Sequence, residues 1–332
     1  MQPTITIIGD GAMATVCALV LAENGARVHL LGRSAAQTGA IQSARENTRY
    51  LQGYKLPDAI HCTADAAAAF ADCQWIVSAI PTQYIRPVLT TLAPHLPPRI
   101  PIISTSKGIE IATMCRPSQV IDQVTTPRPI AALSGPSIAT EIARRLPATV
   151  VIAGDDPALL EAAQRLFSTP TLRVYRNDDL LGVELAGALK NVIAIAAGIL
   201  DGIDAGNNAK AALLTRGLVE IARLGAVLGA KPETFSGLAG LGDLVTTCVS
   251  PEGRNRSFGE KIGRGMTADA ALASTIGVVE GVPTCKGVVA LAKQHNVPMP
   301  LSTMLYHVLF ENVSPQKAIR ELMTREPRAE GR

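Results

Sequence analysis

The stretch Thr4-Ile5-Thr6-Ile7-Ile8-Gly9-Asp10-Gly11-Ala12-Met13-Ala14 decides the fold. A β-branched run ends on the pattern GxGxxA, and residues 15–23 then read as a helix. Strand, glycine turn and helix, in that order, form the context in which this pattern cradles a dinucleotide pyrophosphate. Gly9 permits the tight turn, and Gly11 lets the backbone approach the phosphates. The third position needs a small side chain for helix–strand contact, which Ala14 supplies. Free N–H groups and the helix dipole hold the anion, so Ala12 and Met13 are also counted as cofactor-binding.

Working outward, further strands are expected at 27–31, 75–80, 100–105, 130–133 and 149–153, with 172–175 as an added edge strand. Helical segments separate most of them, the signature of βαβ units. The expected class is α/β: a Rossmann-like, doubly wound, mainly parallel sheet. From about residue 177 the pattern changes to long Ala/Leu/Ile/Gly segments of helical period. A dinucleotide-binding domain at 1–177 and an all-helical substrate domain at 178–332 follow. The second strand ends in Leu31-Gly32-Arg33-Ser34, about 20 residues past the loop, where NAD-preferring sites carry an acid. Arg33 suits the 2′-phosphate of NADP instead, so NADP(H) is expected to be preferred over NAD(H). The alternative reading of Arg33 is a solvated surface arginine.

Composition narrows the class. Hydrophobic residues make up 47% and charged residues 18%, enough apolar material for a packed core, with disorder expected only in the charged tail 324–332. A net charge of +3 without a dense basic run argues against nucleic acid as a partner. Cys17, Cys62, Cys73, Cys115, Cys248 and Cys285 form no CxxC pair and no metal-like spacing with histidine, so reduced thiols and no metal are expected. No signal peptide precedes the first strand, and the expected location is cytoplasmic. The most apolar stretch, 183–203, contains Glu184, Lys190, Asn191 and Asp201. A central lysine costs about 3 kcal/mol on membrane insertion, so this is read as a core helix rather than a span.

That lysine opens the chemistry. An ammonium buried without partners is expensive, so Lys190 either snorkels to the surface or sits in a polar site. Desolvation and neighbouring cations lower a lysine pKa, which suits proton exchange with an alcohol oxygen near neutral pH. Ser106-Lys107-Gly108-Ile109-Glu110 and Leu133-Ser134-Gly135-Pro136-Ser137 each follow a strand. Gly182-Val183-Glu184-Leu185, Ala188-Leu189-Lys190-Asn191-Val192, Gly237-Leu238-Ala239-Gly240-Leu241-Gly242-Asp243-Leu244 and Arg254-Asn255-Arg256 come next. Taken alone, Asp243 has a helix cap as its lesser alternative, and Arg254 reads equally as an exposed loop arginine. The ordered set resembles the NAD(P)-dependent glycerol-3-phosphate dehydrogenases, from the glycine loop to about residue 285.

The resemblance implies reversible hydride transfer between the nicotinamide and C2 of glycerol 3-phosphate or dihydroxyacetone phosphate, feeding phospholipid synthesis. It implies Lys190 as general acid/base, Lys107 polarising the same oxygen, and Asp243 orienting the lysine, with Thr247 one turn beyond. Gly135, Ser137, Gly253, Arg254 and Asn255 fall on the substrate side. Ala139, Val278 and Glu280 fall to the cofactor, which Lys107 and Arg254 also touch. A homodimer is the expected assembly. Two departures stand out: Ala12 and Met13 replace a serine and an aromatic, and Gly253 replaces a serine. A dehydrogenase of the same build acting on a 3-hydroxy acid is the nearest rival, disfavoured by the Gly-Asp and Arg-Asn-Arg motifs. A regulator without turnover would not need Lys107, Lys190 and Asp243 together.

Overall fold

A computed structural model describes residues 2–327 and 329. Eight strands form one sheet: Thr4–Ile8 (β1), Arg27–Leu31 (β2), Ile60–Thr63 (β3), Trp75–Ser78 (β4), Ile102–Ser104 (β5), Ile130–Ser134 (β6), Ala148–Gly154 (β7) and Leu172–Asn177 (β8). Their order is β8-β7-β6-β5-β4-β1-β2-β3, parallel throughout except where β7 runs against β6. The order reverses between β1 and β4, which opens a crevice beyond their carboxyl ends. Gly9, Arg33, Thr82, Lys107 and Gly135 all lie just past strands that end on that edge.

Every strand expected from the sequence is present, two of them with trimmed ends. Residues 75–80 shorten to Trp75–Ser78 and 100–105 to Ile102–Ser104, beside Pro81 and Pro101. Two features were not anticipated. The four-residue β3 buries only Ile60 and Cys62, and a short hairpin pairs Glu46–Asn47 with Leu51–Lys55. Helix Ala12–Glu23 (α1) packs on the sheet behind the glycine loop.

No strand follows Asn177 among the described residues. Leu180–Gly202 (α2) starts where the Asp179 carboxylate accepts from Gly182 N at 2.8 Å, satisfying one free helix donor. It is buried along most of its length and forms the axis of the second core. It is also the one helix among the described residues long and apolar enough to cross a membrane, and that apolar surface lies inside the protein. Gly206–Val227 (α3), Asp243–Val249 (α4), Arg254–Gly263 (α5) and Gly281–Gln294 (α6) surround it. The α2–α5 contact is backbone to backbone. A Cβ on Gly198 would lie 1.9 Å from Arg256 O, and one on Gly259 would lie 2.0 Å from Ile195 O. Cys17, Cys62, Cys73, Cys248 and Cys285 are buried free thiols, and Cys115 is a partly exposed one. Of the tail 324–332, residues 328 and 330–332 lie outside the described residues.

Candidate active site

The glycine loop has the required geometry. Gly9 adopts φ +127°, and a Cβ there would lie 2.9 Å from Ala79 O. Around Gly11, at the N-terminus of α1, there is open space, and no side chain caps the helix. Its first N–H groups are therefore free for an anion. Ala14 is buried, while Ala12 and Met13 are partly exposed, Met13 packing against the edge of the sheet core. Arg33 is exposed beyond β2.

Across the crevice a lysine pair shares one carboxylate. Lys107 Nζ donates to Asp243 Oδ2 at 2.7 Å, to Gly135 O at 3.0 Å and to Ser137 Oγ at 3.2 Å. Lys190 Nζ donates to Asp243 Oδ1 at 2.8 Å and to the Thr247 hydroxyl. Lys190 does not snorkel; it is 6% exposed, and Asp243 is 2% exposed. Burial lowers the Lys190 pKa, Asp243 pulls it up, Lys107 pushes it down, and the result is about 8. Burial alone would raise the Asp243 carboxyl, but the two ammonium groups outweigh it and hold it below the ordinary range. Asp243 follows a π-helical turn, Leu238–Gly242, and sits in the first turn of α4 without capping it. A cavity of about 30 Å³ has Met13, Lys107 and Ser137 in its wall, so loop and lysine border the same space.

The remaining expected residues frame this centre. Gly135, at φ +105°, lets its carbonyl reach Lys107, and Ala139 opens the short helix Ala139–Ala143 close by. Gly253 is the N-cap of α5 at φ −69°, an ordinary backbone conformation, and no side chain caps that helix. Arg254 is exposed at its first turn, beside Gly277. The Asn255 amide is turned inward: it donates to Asn191 Oδ1 at 2.9 Å and accepts from Gly281 N at 2.9 Å. Glu280 Oε1 accepts from Thr82 N at 2.8 Å. Its other oxygen, Oε2, and the Thr82 hydroxyl are both buried without a partner among the described residues. A Cβ on Gly108 would lie within 3.0 Å of both. Burial raises the Glu280 pKa to about 7. Val278 lies partly buried in the same loop.

Open N–H groups and a glycine cradle at the start of α1 fit a bound dinucleotide. Several residues that hold this frame were not singled out from the sequence. The Gln83 amide clamps the Lys107 loop, donating to Ile109 O at 2.6 Å and accepting from Ile111 N at 3.1 Å. Glu184, buried in α2, pairs with Arg116 and accepts from Ser118 N at 2.8 Å. Gly187 leaves room for the Lys107 stem, since a Cβ there would lie 3.5 Å from Lys107 Cγ and 2.9 Å from Ser134 Oγ. A carboxylate within the apolar run of α2 was the visible signal for Glu184; Gln83 had none.

Residues 4–160 match the family described as NAD-dependent glycerol-3-phosphate dehydrogenase N-terminus, and residues 179–320 match its C-terminus. A glycerol-3-phosphate dehydrogenase (NAD(P)+) from Frankia casuarinae is 45% identical over 328 residues, 98% of each chain. One from a Parafrankia species is 47% identical over 328 residues, again 98% of each. The crystal structure of glycerol-3-phosphate dehydrogenase from Coxiella burnetii superposes with a TM-score of 0.94 at 37% identity, covering 98% of this chain and 99% of that one. By motif, fold and full-length likeness, this chain belongs to the NAD-dependent glycerol-3-phosphate dehydrogenase family.

Proposed function

We propose that this protein interconverts sn-glycerol 3-phosphate and dihydroxyacetone phosphate with NAD(P), supplying glycerol 3-phosphate for phospholipid synthesis. The observation that carries the reading is the Lys107–Asp243–Lys190 cluster, buried in the crevice opposite the glycine loop. Bound nicotinamide supplies or accepts the hydride. In the reducing direction Lys190 gives its proton to the carbonyl oxygen as charge builds there, and Lys107 stabilises that charge. Asp243 and Thr247 hold the Lys190 ammonium in place. Gly135 and Ser137 line the substrate side. The phosphate is held beside Gly253 by the Arg254 side chain and by the uncapped N–H groups of Arg254 and Asn255 in the first turn of α5, since an uncapped helix start is an anion site.

The pyrophosphate lies on 9–14, and Ala139, Val278, Glu280, Lys107 and Arg254 border the nucleotide. The dinucleotide-binding domain is 1–177 and the helical substrate domain 178–332. Two chains pair as a homodimer. Buried free thiols suit a reducing compartment, and the cytoplasm is the assigned location. NADPH oxidation in the presence of dihydroxyacetone phosphate tests the reaction. Absence of turnover with that substrate, alongside turnover of a 3-hydroxy acid, would replace it with the rival reading.

Within this reading NADP(H) is preferred, because Arg33 stands where a ribose-binding acid would be. Wild type should show higher kcat/KM with NADPH than with NADH, and Arg33→Ala should lose that advantage. A charge-assisted contact is worth roughly 1.5–3 kcal/mol, or about a ten- to hundredfold change. Equal efficiency of wild type with both nucleotides would end the assignment.

A further inference from the structure

Asn47 lies in the short hairpin that the sequence did not reveal, and its side chain is fully buried. One amide nitrogen serves two partners: Nδ2 donates to Asp10 O at 2.8 Å and to Thr15 Oγ1 at 2.8 Å. Thr15 in turn donates its hydroxyl to Gly11 O at 3.0 Å, and Tyr50 N donates to Asn47 Oδ1 at 3.3 Å. The asparagine thus reaches the glycine loop at its centre and, through Thr15, at the carbonyl that opens α1. We infer that Asn47 is a positioning residue for the dinucleotide, pinning the loop carbonyls so that the loop N–H groups stay turned toward the pyrophosphate. This rests on the proposed NAD(P) chemistry.

The reason is the planarity of the peptide unit. In a trans peptide the C=O of one residue and the N–H of the next point in opposite directions. Holding Asp10 O fixes the direction of Gly11 N–H, and holding Gly11 O fixes that of Ala12 N–H. Gly11 O also accepts from Thr15 N within the helix, at 3.0 Å, but Asp10 O precedes the helix and takes its hydrogen bond from Asn47. A Cβ built on Gly11 would meet nothing within 4 Å, so no packing contact braces the loop on that side. A loop left to rotate would present carbonyl oxygens as often as N–H groups to an anion, and binding would then carry the entropy of ordering it.

Asn47→Asp tests this, since it keeps the volume and the acceptor for Tyr50 N but removes both donated bonds. The NADPH dissociation constant, by fluorescence titration, should rise about ten- to hundredfold, the worth of two lost hydrogen bonds. At saturating NADPH, kcat and the KM for dihydroxyacetone phosphate should stay at wild-type values. In the nucleotide-free enzyme, amide exchange at residues 10–12 should quicken while α2 stays protected. Wild-type NADPH affinity in the variant would overturn the inference, as would equal weakening of nucleotide and substrate, which marks a general structural loss. Should Asn47→Asp fail to fold, Thr15→Val decides in the same way, because it removes only the hydroxyl that links Asn47 to Gly11 O. A wild-type enzyme without NADPH affinity would instead overturn the dehydrogenase reading, and this inference with it.

Discussion

Lys190 shows how one residue was legible and its neighbours were not. An ammonium inside an apolar helical run has few bland explanations, so the sequence alone singled it out. Thr82, Gln83 and Asn47 are ordinary polar residues in mixed surroundings, and only the folded chain reveals what they hold. With its pKa near 8, Lys190 changes charge within the working pH range. In the proposed mechanism reduction of dihydroxyacetone phosphate uses the protonated form, so its kcat should fall as pH rises through about 8. Oxidation of glycerol 3-phosphate needs the neutral amine, so that rate should rise over the same range. Asp243→Asn removes the carboxylate that raises this pKa, and both limbs should move to lower pH. Lys190→Met keeps the length and apolar packing but not the proton. Its kcat should fall by about 10²–10⁴, the range for general acid–base catalysis, with NADPH affinity retained. Identical pH–rate profiles for wild type and Asp243→Asn would remove the lysine from its proposed role.

At the scale of elements, α2 and α5 decide whether the proposed proton donor and the proposed phosphate site stand at the right distance. Gly198 and Gly202 on one helix, and Gly259 and Gly263 on the other, let the backbones touch. This spacing of four is visible in the sequence, but which helix it packs against is not legible from periodicity. Gly198→Ala places a methyl group 1.9 Å from Arg256 O, against backbone that cannot swing aside. Overpacking of this kind costs about 1–3 kcal/mol, and α5 should shift outward with Arg254 and Asn255 on it. A lower denaturation midpoint together with a raised KM for dihydroxyacetone phosphate is expected; unchanged values of both would show that the helices have slack. Gly253→Ser probes the start of α5 itself. The ordinary φ of −69° admits serine, although its Cβ would lie 3.0 Å from Thr247 O, so a shift of a few tenths of an ångström is required. One added neutral hydrogen bond should lower the KM for the phosphate substrate about two- to tenfold, with kcat unchanged. A large loss of kcat would mean that the crowding of Thr247 reaches Lys190.

For the whole molecule, the α/β pattern of the first half and the strand-to-helix change near residue 177 were legible, because hydrophobic period and turn chemistry are local signals. The antiparallel β7 and the hairpin carrying Asn47 were not, since strand direction and a two-residue strand leave no periodic trace. Also hidden were the contacts that tie the first half of the chain to the second, among them Glu184 with Ser118 and Glu280 with Thr82. Glu280 makes this tie sensitive to pH. Burial raises its pKa to about 7 in the folded protein, above the ordinary carboxyl value of 4.5. The folded state therefore binds a proton more readily than the unfolded one between these values. Its contribution to stability is fully present below about pH 4.5 and is lost as pH rises through about 7. The loss is on the order of 2 kcal/mol, allowing for the residue's partial contact with water. Glu280→Gln keeps the shape and the acceptor for Thr82 N but cannot ionise. Denaturant unfolding of the nucleotide-free enzyme at pH 5.5 and pH 8, on the order of one unit either side of that pKa, should show wild type losing more stability than Glu280→Gln with rising pH. Parallel curves for the two proteins would mean that the carboxylate is already ionised in the fold, and that its orphaned oxygen is satisfied by water.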